Sequence, residues 1–132
     1  MKKVIIRCPY CGAKATLRSA NIVYGEHVKN NRYLYVCDRY PKCDAYVSAH
    51  QRTKLPMGTL ANGDLRNKRI ETHRVFGKMW HSGLMKKWQA YKWMQGKFGL
   101  NENQAHIAKF SEYMCEQLII ACNQVYEQNK IA

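Results

Sequence analysis

Two short stretches decide the fold: Cys8-Pro9-Tyr10-Cys11-Gly12 and Cys37-Asp38-Arg39-Tyr40-Pro41-Lys42-Cys43. The first is a C-x2-C knuckle, closed by a glycine that lets backbone amides turn toward a thiolate. The second is a C-x5-C turn marked by Pro41. Residues 12–36 separate the pairs, enough chain for a hairpin to bring the turns together. Four soft thiolates in two chelating turns suit a tetrahedral Zn²⁺ with every position filled. No position is then left for a water, so the zinc bound by Cys8, Cys11, Cys37 and Cys43 is expected to fold the module and not to catalyse. Four thiolates and one dication would lower the formal charge from +13 to about +11. Disulfides are the competing use of these cysteines. The chain shows only three consecutive apolar residues, Val4-Ile5-Ile6, ahead of Arg7, too few for a signal-peptide core. A cytoplasmic protein is expected, and that compartment disfavours disulfides.

Outward from the cysteines, residues 1–50 read as short strands: Lys2–Arg7, Ala13–Arg18, a hairpin of Ile22–Val28 and Arg32–Cys37 about Lys29-Asn30-Asn31, and Asp44–Ser48. Residues 51–63 hold Pro56, Gly58 and Asn62-Gly63 and read as a connector. After residue 63 the period changes. Asp64 is expected to cap a helix to about His81, with Ile70, His73, Gly77, Trp80 and Leu84 on one stripe. Ser82 is expected to cap a second helix that Gly99 stops, carrying Leu84, Trp88, Tyr91 and Phe98 on a face. Asn101 and Gln104 suggest a capping box. Ser111 should cap a last helix, where Cys115, Leu118, Ile119, Cys122, Val125 and Tyr126 keep the 3-and-4 spacing. Cys115 and Cys122 are thereby core thiols. The prediction is an α+β protein: a four-cysteine zinc ribbon of short antiparallel strands over 1–50, a connector over 51–63, and three to four helices over 64–132 packed against the ribbon.

The charge is strongly one-sided. Of 22 Lys and Arg against 9 Asp and Glu, residues 1–100 hold 20 basic and 5 acidic side chains, and residues 101–132 hold 2 and 4. Such a field attracts polyanions. No apolar run approaches the roughly 18–20 residues that span a bilayer, so no membrane partner is expected. The ribbon half interleaves Tyr10, Tyr24, Tyr33, Tyr35, Tyr40 and Tyr46 with Lys14, Arg18, Lys29, Arg32, Arg39 and Lys42. Cations for phosphate and flat rings for unpaired bases are what a single-strand binder needs. The expected nucleic-acid contacts are Lys14, Arg32, Arg39 and Lys42 on phosphate, and Tyr40, Tyr33 and Tyr35 on bases. About half of the tyrosines are expected to cover the thin ribbon core instead. Trp80, Trp88 and Trp93 are expected to pack between helices.

Residues 8–12 and 40–44 together resemble the zinc ribbons at the C-terminal end of bacterial type IA topoisomerases, which show a similar knuckle and a YPKC turn. That resemblance, over about the first 48 residues, implies a ribbon and contact with single-stranded DNA, without strand passage. The whole chain also resembles a zinc-finger-containing family of unknown function found in bacteria, phages and prophages. The matching segments are Cys43–His50, Leu55–Ala61, Leu65-Arg66 and Ala105–Phe110 before Cys115. This resemblance implies a phage or prophage setting and carries no activity. An alternative reading is a protein-interaction module, a phage regulator or anti-defence factor whose basic surface docks an acidic protein, with the helical end as a further partner face. A third is an enzyme using His50, His73 or His106. Catalysis is not expected, because the nine acids form no motif and no phosphate-cradling glycine loop is present.

Overall fold

Four antiparallel strands come first in the chain. The structure, a computed structural model, describes residues 5–25 and 32–131. The strands are β1 (Ile6–Arg7), β2 (Lys14–Ser19), β3 (Tyr33–Cys37) and β4 (Tyr46–Ser48), in the spatial order β1-β2-β3-β4. A single helical turn, α1 (Asn21–Tyr24), lies between β2 and β3. It stands where the sequence predicts a strand from Ile22, and the rest of that expected hairpin, residues 26–31, lies outside the described residues. The true partner of β3 is β2, with Thr16 opposite Val36 and Arg18 opposite Leu34. On its other side β3 pairs β4, with Val36 opposite Tyr46.

Alternation along β2 and β3 divides the sheet into two faces. One buries Ala15, Tyr35, Cys37, Val47 and Leu60 with Cys8. The other buries Leu34, Val36 and Ala20 beneath Val23, Tyr40 and Tyr46. Residues 51–63 are part of this unit. Leu60 and Ala61 are buried, Tyr46 and Ala61 exchange backbone hydrogen bonds, and Met57 N–H donates to Ser48.

The chain divides into two compact units, Met1–Asp64 and Leu65–Ala132. The second is built by α2 (Gly63–His81), α3 (Lys87–Phe98), a 3-10 turn (Ile107–Lys109) and α4 (Glu112–Gln128). Its core joins Phe76, Met79, Ala90, Met94, Ile107, Phe110, Cys115, Leu118, Cys122 and Tyr126. The phase of α2 differs from the predicted stripe. Its buried residues are Leu65, Arg69, Thr72, Phe76, Gly77 and Met79, while Ile70 is 62% exposed. Polar Arg69 and Thr72 are taken inside because each is satisfied. Arg69 donates from Nε and Nη2 to the Phe110 carbonyl at 3.1 and 2.9 Å, and Thr72 donates to the Lys68 carbonyl. The Gly63 N–H opening α2 is taken by the carboxylate of Asp44, a distant cap, and Asp64 lies in the first turn. Helix α3 starts later than Ser82, at Lys87, with Gln89 accepting from the Lys86 N–H. Gly99 ends it at φ +65. Asn101 and Gln104 bond each other's backbone amides reciprocally. Ser111 caps α4 by accepting from Met114 N–H, and α4 buries the predicted apolar face.

Candidate metal centre and the sheet face beside it

The first cysteine turn joins β1 to β2 and the second joins β3 to β4, so the antiparallel sheet carries both to one end. Each turn is held by its own backbone. In the first, Gly12 N–H donates to the Cys8 carbonyl and Cys8 N–H to that of Ala13; in the second, Tyr40 N–H donates to Cys37 and Cys43 N–H to Arg39. Gly12 adopts φ +78, a left-handed conformation that glycine takes at no steric cost. The Tyr40–Pro41 peptide is cis.

These turns gather four sulfur atoms within 4.8 Å of one another. Cys8 and Cys43 Sγ are 3.6 Å apart, and Cys11 and Cys37 Sγ 3.4 Å. A tetrahedron with Zn–S bonds of about 2.3 Å has sulfur–sulfur edges of about 3.8 Å. A disulfide needs about 2.05 Å, and all four thiols are free. Donor type, number and spacing therefore fit a structural zinc site.

Backbone amides and burial pull the cysteine thiols in opposite directions. The backbone N–H of Ala13 donates to Cys11 Sγ and, helped by the Cys37 thiol, lowers its pKa to about 7. Burial pushes Cys37 up to about 12 despite the donating Arg39 amide. For Cys43 the Ala45 amide pulls downward, but burial and the neighbouring Cys8 outweigh it and the net direction is up. In all three the donor is the amide two residues on. A bound dication favours the thiolate form of cysteines held this close together.

A model of a zinc-finger-containing domain matches residues 4–125. The chain belongs to that family. No curated protein and no solved structure matches it. The match runs through both compact units of the chain, from the cysteine turns into the helices.

The remaining sequence-predicted residues of this family member fall on different surfaces. Tyr35 is 5% exposed, with its ring in the zinc-side core and its hydroxyl donating to the Lys54 carbonyl. A buried ring has no face for a base, so Tyr35 leaves the candidate surface. Tyr33 shares that sheet face and is half-buried beneath Lys54, whose Nζ sits 4.4 Å from the ring centroid. Lys14, Arg32, Arg39 and Lys42 are exposed. By alternation Lys14, Arg18 and Arg32 lie on the opposite face, that of Leu34 and Val36. Tyr40, from the second cysteine turn, packs on that face with Tyr46. Tyr24, 44% exposed, meets Tyr46 edge-on at 5.9 Å. An acid at its edge, Asp38, accepts from the Thr16 hydroxyl at 2.6 Å.

One sheet face thus joins Tyr24, Tyr40 and Tyr46 with Lys14, Arg18 and Arg32, next to Arg39 and Lys42. Tyr24, Tyr46 and Arg18 are not among the contacts predicted from the sequence. In β3, Leu34 and Val36 share the parity of Arg32, so this face takes its rings from other segments: Tyr46 from β4, Tyr24 from the α1 turn and Tyr40 from the second cysteine turn. Among the described residues no histidine joins a cluster of three or more metal-ligating groups, and no helix is long and apolar enough to cross a membrane.

Proposed function

We propose that this zinc-finger-containing protein binds single-stranded nucleic acid on the tyrosine face of its ribbon sheet, and that it is not an enzyme. The observation that carries the proposal is the gathering of tyrosine rings and cations on one face. Zinc fixes the turn that presents Arg39, Tyr40 and Lys42. Lys14, Arg18 and Arg32 neutralise phosphate along the strands. Rings of Tyr40, Tyr46 and Tyr24 take unpaired bases. A cytoplasmic setting, in a phage or prophage context, is part of this proposal; the free thiols bear on the compartment alone and suit a reducing one.

The test is titration of a fluorescein-labelled thymidine 20-mer, and its RNA counterpart, with the zinc-loaded protein at 50 and 200 mM salt. Affinity should fall about tenfold or more across that range. The double variant Arg18→Gln/Arg32→Gln should flatten the slope of log K against log salt by about two. Absence of salt-sensitive binding by the parent protein refutes the reading. A second reading, protein docking, is favoured by exposed Tyr113 and Ile120 on α4, a helix with three acids and no Lys or Arg. A stoichiometric complex that survives nuclease treatment and is lost in Tyr113→Ala/Ile120→Ser would establish it.

A further inference from the structure

Residues 72–101 contain no Asp or Glu, yet hold six of the cations, Arg74, Lys78, Lys86, Lys87, Lys92 and Lys97, and all three tryptophans. Trp80 and Trp93 are half-buried against the helical core. Trp80 stacks on Tyr91 and meets Phe76 edge-on. Trp88 is 62% exposed. On α3 the spacing 88-92-96 places Trp88, Lys92 and Gly96 on one outward stripe, with Gln89 beside it.

Neither a close contact nor a left-handed backbone calls for glycine at 96. It lies inside a regular helix, where glycine is destabilising relative to alanine, and it is not among the positive-φ residues. A Cβ built there meets nothing within 4 Å. The contrast is Gly77 on α2, where a Cβ would touch the His81 ring at 3.4 Å and Trp80 at 3.8 Å. What a side chain at 96 would obstruct is the space outside the helix, along the path that starts at the Trp88 ring. Absent side chains let a bound chain approach the backbone closely.

We propose that the Trp88–Lys92–Gly96 stripe of α3 is a second binding track for single-stranded nucleic acid. Trp88 stacks on an unpaired base, Lys92 holds the adjoining phosphate, and Gly96 leaves room for the strand to run on across the helix. The inference rests on the proposed function only for the class of ligand. The charges of this segment favour a polyanion: exposed Lys86 precedes Trp88 at the start of the helix, Lys87 extends its ammonium over the Trp80 ring, and Glu102 reaches the stripe, 3.8 Å from Lys92 across two exposed side chains. An anionic membrane fits less well. Ala90 and Met94 are buried and Tyr91, Trp93 and Phe98 pack on the helix's own core, so α3 offers one flat ring outward and no continuous apolar face to insert.

The test uses full-length zinc-loaded protein, thymidine 20-mers, and vesicles of phosphatidylcholine with phosphatidylserine. Trp88→Ala and Gly96→Leu should each weaken oligonucleotide binding at least tenfold. Lys92→Gln should lower the salt slope by about one. Gly96→Leu should raise Tm or leave it unchanged, so that lost affinity is not lost folding. Tryptophan emission should be quenched by the oligonucleotide in the parent and much less in Trp88→Phe. If Trp88→Ala and Gly96→Leu bind as the parent does while Arg18→Gln/Arg32→Gln does not, the second track is refuted and the sheet face stands. If only the α3 variants lose binding, the sheet face is refuted and the track stands. Vesicles that quench Trp88 where the oligonucleotide does not would overturn the proposal in favour of a membrane surface.

Discussion

At the residue scale, two side chains show how local rules set this structure. Gly12 closes the first cysteine turn at φ +78 with open space where a Cβ would point. Substitution there brings no clash, only the left-handed penalty of roughly 1–2 kcal/mol. Gly12→Ala should therefore shift zinc competition against a chelator by about fivefold or more, with the helical far-UV signal unchanged. Arg69 is the opposite case: a long cation buried in an α-helical core, with two nitrogens donating to one carbonyl of the segment before α4. Removing it strands a buried acceptor and opens a hole. Arg69→Ala should cost about 3 kcal/mol in urea unfolding. In the sequence Arg69 looks like one more solvated cation. Nothing local marks it as internal, because its partner is forty-one residues away.

At the element scale, legibility tracked how much of an element's face is apolar. Helix α4 was readable, cap included, because Cys115, Leu118, Ile119, Cys122 and Tyr126 form an unbroken stripe. Helix α2 was readable in extent and misread in phase. Its inner stripe alternates apolar Leu65, Phe76 and Met79 with Arg69 and Thr72, and hydropathy followed the exposed Ile70 instead. The spacing 65-69-72-76-79 does carry the true phase once polar residues are allowed inside. The zinc ligands were legible outright, since thiol spacing is a chemical signal and needs no hydropathy. The strand partners were not: β3 pairs back across the α1 turn to β2, a contact set by the sheet and not by adjacent sequence. The buried face of α4 also fixes an alkaline limit. Burial pushes Cys122 from 9.0 up to about 12 and raises Tyr126. A folded pKa above the unfolded one means stability is whole below about pH 9 and falls as pH rises toward 12. The slope reaches about 1.4 kcal/mol per pH unit for each such group. Urea midpoints of the helical unit should decline over that window, and Cys122→Val should make the decline shallower.

At the scale of the whole molecule, the two units differ in what holds them. The ribbon's zinc-side cluster has few large apolar side chains: Tyr35, Val47 and Leu60 stand among Ala15, Ala45, Ala49 and the cysteines themselves. A core that thin is of the kind that needs a metal or a disulfide to fold. The helical unit buries Phe76, Met79, Met94, Ile107, Phe110, Leu118 and Tyr126, with no metal-ligating cluster among its described residues. Chelation should therefore separate them. The probes are placed to show it, because all three tryptophans lie in the helical unit and six of the nine tyrosines lie before residue 50. Removal of zinc by a strong chelator should abolish tyrosine near-UV dichroism from the ribbon and open its amides to hydrogen exchange. Ellipticity at 222 nm and tryptophan emission should stay near their starting values, and re-addition of Zn²⁺ should restore the ribbon signals. Parallel loss of both sets of signals would mean that one cooperative unit spans residues 5–131, and that the helical core does not stand without the metal.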